Sequence, residues 1–354
     1  MSASNKNTYI QDVRGICIIA VIMIHSGIGS AADLNTLNYG LALRQFVYFP
    51  VAIFFFLSGY FCDLNKFDKW GEYFKKRIFR VLTPYLFWSF LCLLLYAIKN
   101  GNWSSQEIFY KLLTGTAIPP FYYLIVLIQL IIITPLLINI IKGNNRILKA
   151  ICYSVTIIHL IILYLVSYNS VKWDNHYALC SAWFFFYYWG LQVKYSGIKF
   201  LDKISVSSLV ILIICALFIS VWEGFAVYSL NLSDFELVGG QVKFSSFLYV
   251  SLIILFIFKI QPFTITKIDG LVKNGFIKIN WLTKIGDISF GIYLSHFLCM
   301  IFASKIVSYI NFKSMYFPLK SLIITFLTLF ICYYLLTITR KVIGDKYSKI
   351  IGII

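Results

Sequence analysis

Charge is what this chain has least of: only 13% of its 354 residues are Asp, Glu, Lys or Arg, against 60% hydrophobic. A soluble domain of this length carries about twice that charged fraction. The shortage excludes a large water-soluble globule, and the mean hydropathy of +0.82 agrees. Acidic groups are scarcer than basic ones, 14 against 31, for a net charge of +17. In a soluble protein that excess would suggest nucleic acid. Here the basic residues sit in short loops between apolar runs, where they act as topology signals, so no nucleic-acid partner is expected. Paired cysteines are also missing. The eight cysteines stand singly in or beside apolar segments without any Cys-x-x-Cys, so neither a disulfide framework nor a metal site is indicated. No fixed-period repeat is evident, and no soluble domain is expected before or after the apolar segments. The expectation is a single integral-membrane domain over 1–354.

Long apolar runs take the place of what is missing. Windows of about 18 to 24 residues, broken at charges and Gly/Asn/Pro clusters, give ten candidate spans. They lie at 9–28, 44–62, 79–98, 119–141, 149–168, 177–193, 205–222, 242–260, 284–304 and 317–339. The sixth is short and aromatic, and the ninth carries Asp287 and His296. With the N-terminus inside, the inner loops and both ends hold 23 of the 31 Lys and Arg, and the outer loops hold 8. The fold class predicted is therefore all-α: a polytopic membrane helical bundle of about ten transmembrane helices in a lipid bilayer, both termini cytoplasmic. Lys6, the first apolar run and Ser30-Ala31-Ala32 have the outline of a cleavable signal peptide, but the arginine and histidine within that run argue against cleavage.

Those two residues, Arg14 and His25, bracket an otherwise oily stretch, RGICIIAVIMIH. Ionisable groups in hydrocarbon are costly unless they find partners or water. Eleven residues at 100° each make three turns plus about 20°, so both share one helix stripe, about 16 Å apart along the axis. The ordinary alternative is an interfacial arginine snorkelling to headgroups and a histidine bonded to a neighbouring helix. Arg77 and Arg80 share a face at the start of the third span. With Lys75, Lys76 and Arg14 they form a cluster able to hold phosphates. Lys66 and Lys69 read as positive-inside charges only. Ser289, Tyr293 and His296 share a face of the ninth span. Ser58 lacks a Gly-x-Ser-x-Gly elbow, so Ser58-Gly59 reads as small-residue packing between helices. His159 reads as a locally bonded histidine, and His176, beside Trp173 and Asp174, as an interfacial anchor.

The Arg-x10-His spacing is similar to a motif of the bacterial membrane-bound acyltransferase 3 family, the O-acetyltransferases of surface polysaccharides. Further segments follow in that family's order. FFFLSGYF (54–61) resembles its second-helix signature, and KKRIFRVLTPYLFW (75–88) its basic entry to the third helix, with Arg77, Arg80 and Pro84 in place. PPFYYLIVLIQLIIITPLL (119–137) resembles the fourth helix, with Tyr122-Tyr123 where a Trp-Tyr or Trp-Phe pair is usual. LTKIGDISFGIYLSHF (282–297) resembles the late Ser-aromatic-Gly-Ile-Tyr-Leu-x-His segment. The resemblance implies O-acetyl transfer from cytosolic acetyl-CoA to a cell-surface polysaccharide or a lipid-linked glycan acceptor, at a bacterial inner membrane. It implies Arg14, Arg77 and Arg80 as the donor-phosphate site and His25 with His296 as the catalytic pair. His25 would either deprotonate a sugar hydroxyl or accept the acyl group transiently. A glycan exporter or flippase, or a membrane sensor on the same fold, is the alternative reading.

Overall fold

The computed structural model describes residues 8–27, 34–63, 70–100, 104–169, 171, 173–229, 240–273, 281–309 and 317–353. Ser30–Ala32, Lys66 and Lys69 lie outside the described residues. The described secondary structure is helical throughout. In chain order it comprises α1 (Thr8–His25), α2 (Leu34–Val47), α3 (Pro50–Tyr60), α4 (Trp70–Asn100), α5 (Ser105–Thr114), α6 (Tyr122–Lys142) and α7 (Arg146–Tyr168). Then come α8 (Cys180–Ser196), α9 (Val206–Ser229), α10 (Phe244–Lys273), α11 (Trp281–Asp287), α12 (Ser289–Tyr309) and α13 (Phe317–Ile350).

Among the described residues, nine helical segments are long and apolar enough to cross a bilayer. They correspond to nine of the ten expected spans, and the protein is a multi-pass membrane bundle. The remaining span, 177–193, is α8, only 17 residues long. Its aromatic sequence suits its place: Trp183, Phe186, Tyr187 and Tyr188 are all buried among other helices. Outward-facing residues such as Phe90, Phe218, Ile301 and Phe326 are instead exposed, as a lipid-facing surface requires.

Two expected spans are broken where the sequence gives a reason. The second divides at Tyr48-Phe49, and Pro50 opens α3 at a position where its missing N–H costs nothing. The ninth divides at Ile288 into α11 and α12. The short α11 lies against the start of α1, where the Thr283 hydroxyl donates to Asp12 at 2.5 Å. Another close helix contact joins α3 and α8. A Cβ on Gly59 would stand 2.2 Å from the Tyr187 carbonyl oxygen, and one on Gly190 would stand 2.1 Å from that of Phe56. Backbones this close require small residues, the usual device where lipid gives helices no hydrophobic reason to associate.

The last helix does not run straight. Gly344 has φ of 75°, a left-handed conformation natural to glycine, and it turns the following residues away from the α13 axis. The turned segment packs back onto the bundle: the Trp88 indole donates to the Ile351 carbonyl at 3.0 Å, and Ile353 is buried.

Candidate functional site

The basic groups converge on one end of the bundle. A cleft of about 860 Å³ opens there, with Arg14, Arg77, Arg80 and Lys76 in its walls. Arg14 reaches it from the second turn of α1, with its guanidinium 3.4 Å from the Gln11 side-chain oxygen. Arg77 and Arg80 come from the beginning of α4. Arg77 is tied down: Nη2 donates to the Ser58 carbonyl at 2.7 Å and Nη1 to Cys62 Sγ at 2.9 Å. It thereby satisfies one backbone acceptor at the end of α3, a position where cations are favoured. Arg80 is exposed, and Lys76 stands 4.0 Å from the Glu72 carboxylate on the surface. The structure thus brings together Arg14, Arg77, Arg80 and Lys76 as the sequence suggests. Lys75 is exposed and is not part of the cleft wall.

Two tyrosines also stand in the cleft wall. Tyr123 of α6 and Tyr293 of α12 both line it, their ring centroids 5.5 Å apart. The Tyr293 hydroxyl donates to the Pro120 carbonyl, and the Tyr123 hydroxyl pairs with Ser58 Oγ at 3.3 Å. Both rings are buried. Ser58 therefore turns a hydroxyl into the cleft, and Gly59 alone makes the close helix contact expected of the pair.

Next to the tyrosines stand two histidines. The His296 ring lies 5.9 Å from Tyr293 and 5.4 Å from His25, the last residue of α1. His296 is fully buried, and its Nδ1 is 2.6 Å from the Tyr293 carbonyl oxygen. A carbonyl only accepts, so Nδ1 carries the proton and Nε2 keeps its lone pair. That Nε2 is buried without a hydrogen-bond partner among the described residues. Ser289, Tyr293 and His296 do share a face. The first two line the cleft, and the third lies beyond it.

Two features escaped the sequence reading. Tyr123 was visible only as a departure from an expected aromatic pair, yet it forms the inner wall of the cleft. Arg44 stood at the edge of the second expected span, 44–62, without a role, yet it lies in α2 within electrostatic range of His25. It is held by Tyr48, whose hydroxyl accepts from its Nε and whose ring centroid is 5.1 Å from the guanidinium carbon. The i, i+4 spacing of Arg44 and Tyr48 was the available signal. The other two histidines also depart from expectation. His159 is bonded across helices, its Nδ1 3.0 Å from Ser181 Oγ of α8. His176 is buried rather than interfacial, 6.1 Å from the His159 ring, and burial pushes its imidazole down to about 4. Chain reversal before α8 folds this segment inward, which a pattern of loop residues does not reveal.

Residues 7–337 match the family model of acyltransferase 3, described as an acyltransferase domain. The chain belongs to the acyltransferase 3 family. The matched region holds both ends of the site just described, from Arg14 to His296. This acyltransferase 3 chain is thus a membrane acyltransferase whose basic cleft and histidine pair lie within the family's own domain. No curated protein and no solved structure matches it.

Proposed function

We propose that this acyltransferase moves an acetyl group from cytosolic acetyl-CoA to a hydroxyl of a cell-surface glycan, or of its lipid-linked precursor, in a bacterial inner membrane. One observation carries the reading: a cleft with four cations has Tyr123 and Tyr293 in its wall, and the His25–His296 pair stands next to Tyr293. The excess of Lys and Arg in loops on the cleft side supports a cytosolic mouth. Arg14, Arg77 and Arg80 then offer donor phosphates charge-assisted hydrogen bonds. Arg77 is already oriented by Ser58 and Cys62.

In the transfer itself, the acceptor hydroxyl oxygen bonds to the thioester carbonyl carbon and the carbon–sulfur bond breaks. The hydroxyl proton passes to a histidine base and on to the departing thiolate. His25 is the base in this scheme. His296, its tautomer fixed by the Tyr293 carbonyl, presents the Nε2 lone pair that orients His25 or the acceptor hydroxyl. Removing water from around these groups strengthens each of their electrostatic contacts.

The test follows label from acetyl-CoA to surface glycan in matched strains. His25→Ala should abolish transfer while purified protein still binds CoA, and full transfer with the variant present in the membrane would refute the assignment. A glycan exporter would move its substrate without consuming the label. A reporter fused after residue 354 should read as cytoplasmic, and a periplasmic signal would overturn the orientation.

A further inference from the structure

Beside the main cleft lies a second one of about 600 Å³, and the two share Lys76 and Arg80. Its remaining wall comes from Phe79 and Thr83 of α4 and from Lys349 and Ile350 at the end of the chain. Lys349 is far from the other cations in sequence, and it lies past residue 337, where the family match stops. It reaches this wall because Gly344 turns the chain, and Trp88 and buried Ile353 hold the turned segment against α4. The Cα of Gly352 sits so near Pro84, Phe290 and Leu294 that a Cβ there would meet all three within 3.1 Å. The segment is therefore docked, and Lys349 has a fixed base.

We propose that this second cleft is a subsite for a terminal phosphomonoester on a nucleotide, and that Lys349 recognises it together with Lys76 and Arg80. The chemistry fits in three respects. Three cations face one small recess, and a phosphomonoester brings nearly two negative charges at neutral pH. The Phe79 ring, half exposed, offers an apolar face for a nucleobase. Arg80 belongs to both recesses, so a ligand with two separated phosphate groups can engage both at once. Resting on the CoA reading above, the inference assigns the 3′-phosphate of the donor to Lys349 and the diphosphate to the arginine cleft.

The measurement is calorimetric binding of CoA and of dephospho-CoA, which lacks only the 3′-phosphate, to the full chain in nanodiscs. Wild type should favour CoA by about tenfold, the size of one charge-assisted contact. Lys349→Ala should erase that preference and leave dephospho-CoA affinity within twofold, while Lys349→Arg should keep most of it. Lys346→Ala, in the same segment but outside the cleft wall, should change nothing. If CoA and dephospho-CoA bind wild type equally, the subsite is wrong and the donor reading survives. If neither binds, the donor reading fails first. Nanodiscs of purely zwitterionic lipid and of lipid with anionic headgroups separate the remaining source of phosphate. Should the CoA preference vanish whenever anionic lipid is present, the recess is a headgroup site and the proposal is overturned.

Discussion

Replacing either glycine at the α3–α8 crossing should disturb the basic cleft without touching any of its side chains. The added Cβ of Gly59→Ala would stand 2.2 Å from the Tyr187 carbonyl oxygen, and that of Gly190→Ala 2.1 Å from the Phe56 oxygen. Carbon and oxygen tolerate about 3.3 Å, so the helices must part by about 1 Å. The obstructing atoms are backbone, and no rotamer change relieves them. Overpacking of this kind costs about 1–3 kcal/mol, against which alanine returns up to ~1 kcal/mol of helix propensity. Taking about 2 kcal/mol as the middle of that cost, each variant should lose about 1–2 kcal/mol net. The double variant should lose less than the sum, because one separation relieves both contacts. The effect reaches the site through Arg77, whose guanidinium is bonded to the Ser58 carbonyl and Cys62 at the end of α3. A shifted α3 loosens that arginine. The assays are thermal unfolding in detergent and CoA titration, with Gly71→Ala as control, since its added Cβ meets nothing within 4 Å. Melting points and CoA affinity that match wild type in both crossing variants would refute the reasoning.

Arg77→Lys keeps the charge but lacks the planar fork whose two nitrogens reach the Ser58 carbonyl and Cys62 Sγ, so it should cost about 1.5–3 kcal/mol of stability, whereas Arg80→Lys on the exposed neighbour should cost little. Equal melting points for the two variants would count against the capping role. His176 predicts a pH dependence. Its imidazole is pushed from the usual 6.5 to about 4 by burial, so the folded state holds it neutral. That contribution is complete above about pH 6.5 and drains away as pH falls toward 4, with an upper bound of about 3 kcal/mol. The melting-point loss between pH 7.5 and 4.5 should shrink in His176→Phe, and an unchanged loss would exclude His176 as its source.

Much of the bundle was legible because bilayer thickness sets a length that composition must meet. The short aromatic run at 177–193 was marked as unlike the others, and it became the buried α8. Helical phase correctly joined Arg14 to His25 on one helix, since three turns separate them whatever surrounds the helix. Phase says nothing about which other helices complete the stripe. Tyr123 and Arg44 therefore stayed hidden: their places depend on how separate helices pack, through contacts such as Gly59 of α3 against the Tyr187 carbonyl of α8. The docked end of the chain was hidden for a related reason. Gly344 reads as an ordinary glycine after an apolar run, and only the packing of Trp88 and Ile353 shows what its turn achieves.

The two ends of the site need different surroundings, and the fold supplies both along one helix. On the proposed reading, arginines that hold a phosphate must stay charged and exchange ligand with water, and Arg80 remains exposed at an open cleft. A histidine base works best neutral and away from bulk water, so it belongs behind a barrier. Tyr123 and Tyr293 are suited to that barrier because each has an apolar ring to fill space and a hydroxyl tied off, one to Ser58 and one to Pro120. Their hydroxyls are engaged on the protein, which leaves the His296 Nε2 as the buried acceptor next to the rings. Because α1 carries Arg14 on one side of this layer and His25 on the other, the roughly 16 Å between them is fixed by eleven residues of helix. On the acetyl-CoA reading proposed above, a donor anchored by its phosphates at the cleft would have about that distance to span, past the two tyrosines, to bring its acyl end to the histidines. On that reading the separation calls for a long, narrow donor arm before any contact with the acyl group is made.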